Sequence, residues 1–207
     1  MNTSAKSSLL RHIGLFSLIF APLCTVVGQF FWHHGVLGIT AGIWQVYSYF
    51  FWIFAFHLMF QQLETPLPRY ASIGFFVAVF SCIGGNNFGV EGIYSELMEV
   101  RDLAALDTLH AKLGGAAAFY LFLPGLLFPL SLLVLGINLI RTKTIPMWVG
   151  ILFCVSAIGF PLSRIPRIDL IAHLDNLLLL ISHTLVAWQI TTQGKSSTVG
   201  FSALAPD

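Results

Sequence analysis

Six apolar segments, each close to the length of a membrane-spanning helix, constrain this chain more than any other feature. They cover about residues 13–32, 38–61, 70–86, 113–140, 145–162 and 170–189. A backbone in hydrocarbon must satisfy its own hydrogen bonds, so apolar runs of roughly 20 residues are typical of transmembrane helices. The segments predict an all-α polytopic membrane protein, with one transmembrane domain over residues 1–195 that forms a bundle of six transmembrane helices.

The composition excludes a soluble domain. Asp, Glu, Lys and Arg make up 9% of the 207 residues and hydrophobic residues make up 57%, whereas a typical soluble domain is about 25% charged. So few charged residues are not enough to cover the surface of a protein folded in water. We therefore expect the lipid bilayer to surround most of the surface. The net charge of +1 lacks the basic footprint of a nucleic-acid-binding protein.

Basic residues beside the spans predict the orientation. With the N-terminus inside, six Lys and Arg residues fall on the inner face and four on the outer face, and an inner excess favours cytoplasmic termini. We therefore expect a protein of the cell inner membrane with a flexible cytoplasmic tail over residues 196–207. Lys6 and Arg11 precede the first span as in a secretory signal, but no small-residue cleavage site follows, which predicts an uncleaved helix.

Residues 90–112 form the longest predicted extramembrane stretch. Apolar residues recur there at helical spacing between charges, which predicts a short amphipathic helix on the bundle or in the membrane interface. Four ionisable residues share one sector of about 90° on this helix: Glu96, Glu99, Asp107 and His110. Two interpretations stay open, a solvated helix face or a surface that handles protons or a divalent metal.

The last span carries the sharpest pattern in the sequence. Its polar residues fall at offsets of four, three and seven within an arc of about 80°: Asp169, His173, Asn176 and His183. Ionisable groups inside a span are costly and usually face protein or a wet cavity. We therefore expect this stripe to face inward, whereas Asp175 points elsewhere and lies within reach of Arg164 or Arg167.

Three interpretations of the stripe compete. The four side chains fix helix packing by interhelical hydrogen bonds, or line a ligand or proton-handling cavity, or contribute to a metal site. In the second case all four are candidate ligand-binding residues. In the third, Asp169 and His173 share one ion, which needs further ligands. The candidate metal ligands are His173, Asp107 and His110, and His33 and His34 lie at the same outer level.

No cofactor follows directly from the sequence. His57 and His183 lie toward the same end of different spans, so a haem with two axial imidazoles is one alternative. Cys24, Cys82 and Cys154 lie at membrane depth, where buried small hydrophobic residues are the ordinary interpretation. Phosphate-binding loops, nucleophile elbows and zincin spacing are absent from the sequence.

Small residues and prolines predict how the helices pack. Gly84 and Gly85 are expected to end the third helix, and Gly114 and Gly115 to open the fourth. Such glycine pairs permit close approach of the chain near the outer surface.

The segment Arg141-Thr-Lys-Thr-Ile-Pro-Met-Trp-Val-Gly150 joins two apolar spans. A basic residue, a Pro-x-Trp and a Gly mark the turn into the fifth span. In this pattern the C-terminal half resembles a group of uncharacterised bacterial six-helix integral membrane proteins. The resemblance implies the six-helix fold and transfers no site residues.

Three functions are consistent with these patterns. The first is binding of a lipid-like or small hydrophobic ligand, or of a partner membrane subunit, through an outer-half polar pocket that His173 and Asn176 help to form. The second is an enzyme that performs acid–base or metal-assisted chemistry on a lipid or isoprenoid, with Asp169, His173, Glu96 and Glu99 as its catalytic residues. The third is an accessory structural subunit of a membrane complex.

Overall fold

A computed structural model describes the backbone of residues 3–32, 35–100, 102–166 and 168–202, and the side chains of these ranges between residues 9 and 192. His33, His34, Arg167 and residues 203–207 lie outside the described residues. The described part of the predicted tail is helical as far as Ser202, and the tail's flexibility stays a prediction.

Seven helices make up the described chain. They are α1 (Thr3–Gln29), α2 (Gly38–Gln61), α3 (Pro68–Leu97), α4 (Leu103–Leu113), α5 (Gly115–Arg141), α6 (Met147–Arg164) and α7 (Asp169–Ser202). Each helix except α4 contains a candidate membrane span by length and hydropathy. The fold is therefore that of a helical multi-pass membrane protein, as predicted.

The third span is longer than the sequence predicted. The expected end near Gly84 and Gly85 is wrong, because α3 continues to Leu97. The glycines instead let neighbouring helices approach. A Cβ on Gly84 would lie 2.1 Å from Pro124 Cβ in α5, and a Cβ on Gly85 would lie 2.1 Å from the Tyr49 ring in α2.

The long connection between α3 and α5 holds a helix shorter than expected. Residues 90–97 belong to α3, so the helix predicted over 90–112 is reduced to α4. Its N-cap Asp102 accepts a hydrogen bond of 2.8 Å from the Ala105 N–H, which satisfies one of the free donors of its first turn. Gly114, with φ +54°, ends it. The amphipathic, interfacial character of α4 stays a prediction.

The six long helices form a closed ring. Each packs against its ring neighbours in the order α1, α2, α3, α5, α6 and α7, and α7 packs back against α1. The helix ends that meet beside α4 are the C-terminal ends of α1, α3 and α6 and the N-terminal ends of α2, α5 and α7. We call this the long-loop end of the bundle.

Aromatic side chains fill the middle of the ring. Trp52, Phe56, Phe128 and Phe153 are all buried. The Phe128 ring packs edge-on against Trp52 and Phe56, with centroids 5.2 and 5.8 Å apart. Lipid gives helices little hydrophobic drive to associate, so such close packing holds the bundle together.

The start of α5 departs from regular α-helix. Residues Ala118–Phe122 form a π-helical turn just before Pro124. Proline has no N–H to donate to the carbonyl four residues earlier, that of Tyr120. The Asn87 side chain of α3 donates to that carbonyl at 3.1 Å. The wide turn lies beside the cavity described next, and Phe122 forms part of the cavity wall.

Candidate functional site

A cavity of about 450 Å³ lies at the long-loop end of the bundle. Its walls come from the end of α1, the start of α2, the end of α3, α4, the start of α5 and the end of α6. Most of the lining is aromatic or aliphatic: Trp32, Leu37, Tyr49, Phe88, Leu103, Phe122, Leu126, Pro129, Phe160 and Ile165. Four side chains add further polar or charged groups: Gln45, Asp107, His110 and Arg164.

Among the described residues that line this cavity, only Arg164 is an arginine or lysine. It is the last residue of α6. Its guanidinium donates from Nη1 to Gln29 Oε1 of α1 and from Nη2 to Asn176 Oδ1 of α7, the latter at 2.7 Å. Two amide oxygens from two other helices thus fix the plane of the guanidinium.

Aromatic rings hold the same guanidinium. Its central carbon lies over the Trp32 ring, 4.9 Å from the centroid, and over the Phe160 ring, 5.1 Å from the centroid. Such cation–π contacts stabilise a guanidinium at a partly buried position. The Nε atom is buried and has no hydrogen-bond partner within the described part of the chain.

Asn176 links Arg164 to the first helix. It is fully buried, and its Nδ2 donates to the Thr25 carbonyl of α1 at 3.4 Å. The Thr25 hydroxyl in turn lies 2.8 Å from the Ser48 hydroxyl of α2. A polar network therefore connects four helices of the ring behind the cavity.

Asp175 lies on the α6 side of α7. Its side chain is buried, and neither carboxyl oxygen has a hydrogen-bond partner in the described structure. A Cβ on Gly159 would lie 2.1 Å from Asp175 Oδ1, so the carboxyl group packs directly on the α6 backbone. Asp175 interacts electrostatically with Arg164 but does not line the cavity.

Helix α4 supplies the wall that carries Asp107 and His110. His110 Nε2 lies 2.6 Å from Glu91 Oε1 of α3, which ties α4 to the bundle. The His110 ring also packs edge-on against Phe122, with centroids 5.4 Å apart. Among the described residues, no group of three His, Cys, Asp or Glu side chains is placed to hold a metal ion.

The predicted polar stripe of the last helix divides into two parts. Asn176 and His183 are fully buried, as the helical spacing predicts. His173 is only half-buried and packs against the Phe30 ring at 4.7 Å, and Asp169 is exposed at the start of α7. None of the four lines the cavity, although Asn176 contacts its cation. Their ligand-binding roles stay predictions.

The predicted catalytic carboxylates lie apart from the cavity lining. Glu96 Oε2 accepts a hydrogen bond from the Ile39 N–H in the first turn of α2, where a carboxylate stabilises the positive end of the helix dipole. Glu99 lies in the turn after α3 with φ +60°. Neither carboxylate lines the cavity.

The two histidines considered for haem occupy ordinary packing positions. His57 lies 3.1 Å from Gln61 Nε2 one turn along the same helix. His183 Nδ1 lies 2.7 Å from the Leu179 carbonyl, and its ring contacts Trp52 and Phe153 at centroid distances of 4.7 and 4.5 Å. Aromatic side chains thus adjoin the His183 imidazole on two sides.

Sequence reasoning missed Gln29 and placed Arg164 only as a partner of Asp175. The available signal was that each is a polar residue at the end of an apolar span. Such residues usually face the headgroups, and only the arrangement of α1, α6 and α7 turns both toward one cavity.

Fold and site together define a class: a helical integral membrane protein with a charged cavity at one end of the bundle. No protein family, curated protein or solved structure matches this chain.

Proposed function

We propose that this protein binds a lipid-like or small hydrophobic molecule in the cavity at the long-loop end, with the polar end of that molecule on Arg164. The observation that carries the proposal is one guanidinium, fixed by α1 and α7, in the wall of an otherwise mostly apolar cavity.

The size and lining of the cavity support a small-molecule ligand. Ligand pockets are typically about 300–1,000 Å³, mostly apolar, with a few placed polar groups that fix orientation. The volume of about 450 Å³ falls in that range. A hydrocarbon chain fits against Phe88, Phe122 and Leu126, since these walls offer no hydrogen bonds from their side chains.

The location of the cavity is part of the proposal. With both termini cytoplasmic, the long-loop end faces the outer leaflet of the inner membrane. In this arrangement α4 is an amphipathic helix that covers the cavity, with Leu103 turned toward the ligand. A lipid-like molecule then enters from the bilayer and does not need to cross it.

Identification of bound molecules tests the proposal. The protein is purified in a mild detergent, and its hydrophobic contents are extracted and identified by mass spectrometry. The Leu126→Trp variant places a larger side chain in the cavity wall and leaves less space for a ligand. We therefore expect this variant to contain less of the bound molecule. Leu130→Trp is the matched control, because Leu130 lies one turn further along α5, is similarly exposed and does not line the cavity. Equal contents in all three proteins, or no bound molecule, would contradict binding in this cavity; an empty protein would favour an accessory subunit.

One observation favours an enzymatic function as the second candidate. His110 lines the cavity and its Nε2 lies 2.6 Å from the Glu91 carboxylate, an arrangement that can orient a histidine as a general base. If the protein converts its ligand, wild type incubated with the extracted molecule forms a product and His110→Gln does not. An unchanged mass spectrum of that molecule after incubation would contradict it.

A further inference from the structure

We infer that the polar end of the ligand is an anion, a carboxylate or a phosphate joined to a hydrocarbon chain. This inference rests on the proposed function and names the chemical class of the molecule bound there. The positive charge of Arg164 is incompletely neutralised at the cavity wall.

Arg164 has no direct counter-ion among the described residues. Both observed hydrogen-bond acceptors of the guanidinium are neutral amide oxygens, those of Gln29 and Asn176. In the described part of the chain no carboxylate oxygen lies within 4.0 Å of Arg164. Buried charges are normally paired, so a guanidinium whose observed direct contacts are two amides and two aromatic rings can still accept an anionic partner.

Asp175 is a carboxylate that interacts electrostatically with Arg164. It packs on Gly159, makes no hydrogen bond to the guanidinium and is absent from the cavity lining. It offsets part of the positive charge of Arg164, but it lies outside the cavity lining to which Arg164 belongs.

The neighbours of the guanidinium decide how a ligand reaches it. The Trp32 and Phe160 ring centroids lie 4.9 and 5.1 Å from the central carbon of the guanidinium, so a ligand reaches the group from a side that neither ring covers. A guanidinium has five N–H donors in one plane, and two are engaged by Gln29 and Asn176. An edge of parallel N–H groups matches the two oxygens of a carboxylate or phosphate.

Asp107 and Arg164 set the direction of the molecule in the cavity. Asp107 is a carboxylate on the α4 wall, whereas Arg164 belongs to α6. Like charges repel, so the anionic head lies at Arg164 and away from Asp107. The hydrocarbon chain then occupies the remaining space among Phe88, Phe122 and Leu126.

Three probes separate the contributions of charge and chain. The protein is placed in phosphatidylcholine nanodiscs and titrated calorimetrically with dodecyl phosphate, dodecanol and inorganic phosphate, and empty nanodiscs supply the blanks. We expect saturable binding of dodecyl phosphate at least about tenfold tighter than that of dodecanol, because only the first gains charge-assisted hydrogen bonds. Inorganic phosphate alone should bind much more weakly, since it lacks the chain. Phosphate binding as tight as that of dodecyl phosphate would overturn the inference in favour of a free-anion site.

Variants assign the binding to the guanidinium. Arg164→Gln should weaken dodecyl phosphate binding about tenfold or more, and Arg164→Lys should give an intermediate affinity because it keeps the charge and loses the planar fork. Arg141→Gln is the matched control, because Arg141 ends α5 at the opposite end of the bundle.

The outcomes distinguish the two proposals. Equal affinity for dodecanol and dodecyl phosphate, lowered by Leu126→Trp, would overturn the anion and keep the hydrophobic ligand. No saturable binding of either amphiphile would overturn both. The comparison of probes on the wild-type protein decides the inference even if an Arg164 variant fails to fold.

Discussion

Arg164 Nη2 donates to Asn176 Oδ1 across 2.7 Å, joining the last residue of α6 to the second turn of α7. Through this hydrogen bond Asn176, which does not line the cavity, orients the guanidinium of Arg164, which does. The hydrogen bond explains why Asn176, one of the polar residues that the sequence singled out in the last helix, matters for the cavity although it does not line it.

Replacing Asn176 by Leu should destabilise the bundle. The change removes the acceptor of Arg164 Nη2 and the donor to the Thr25 carbonyl, so we expect a loss of about 2 kcal/mol in the free energy of unfolding. Thr184→Val is the control, since the exposed Thr184 hydroxyl donates to the Leu180 carbonyl of its own helix. Thermal unfolding in detergent measures the loss of stability in both variants, and equal losses of stability would contradict an interhelical role for Asn176.

Gly159→Ala should disturb the contact between α6 and α7. The new methyl group would lie 2.1 Å from Asp175 Oδ1, and such overpacking costs about 1–3 kcal/mol. The cost should fall when Asp175→Ala is also present, because the clashing oxygen is gone. Gly115→Ala serves as the control, since nothing lies within 4 Å of its Cβ position. A double-mutant cycle on unfolding free energies measures the coupling, and zero coupling would refute the contact.

Glu96→Gln should affect stability and leave ligand binding unchanged. The carboxylate accepts from Ile39 at the start of α2, and the loss of its negative charge at a helix N-terminus costs about 0.3–1 kcal/mol. Glu64→Gln, an exposed change after α2, is the comparison. Chemical denaturation and dodecyl phosphate titration provide the two readouts. A large loss of binding with normal stability would instead support the catalytic or ligand-binding role that the sequence predicted for Glu96.

Asp107→Asn should strengthen the binding of an anionic amphiphile. Asp107 lines the cavity on the α4 wall, and its removal relieves repulsion of the bound anion, which predicts a gain of about twofold to fivefold in affinity at low salt. The gain should shrink as salt is added, and dodecanol affinity should stay constant. Weaker binding of dodecyl phosphate by this variant would contradict the orientation proposed for the ligand.

The sequence predicted the number and nature of the spans well because hydrocarbon imposes a length and a hydropathy that a single helix must meet on its own. The second span agrees with its predicted bounds, 38–61. The end of α3 was wrong for a physical reason. Gly84 and Gly85 were interpreted as helix breakers, but the space above them is filled by Pro124 and Tyr49, which a linear sequence does not reveal.

The candidate site was predictable only in part. Helical spacing correctly turned Asn176 and His183 inward, because the period of one helix suffices for that inference. The position of Arg164 depends on which helices become neighbours in the ring. The same holds for Glu96, whose partner Ile39 lies 57 positions away in the chain.

Photoaffinity labelling tests the central claim most directly. A dodecyl phosphate that carries a diazirine on its chain is bound to the protein in nanodiscs, irradiated, and its attachment sites are mapped by mass spectrometry. We expect labels on the cavity residues Phe88, Phe122 and Leu126, and their loss in Arg164→Gln. Labels confined to the outward-facing Phe76 and Phe119, which are 73% and 75% exposed, and unchanged by Arg164→Gln, would mean that the amphiphile touches the protein only from the surrounding bilayer.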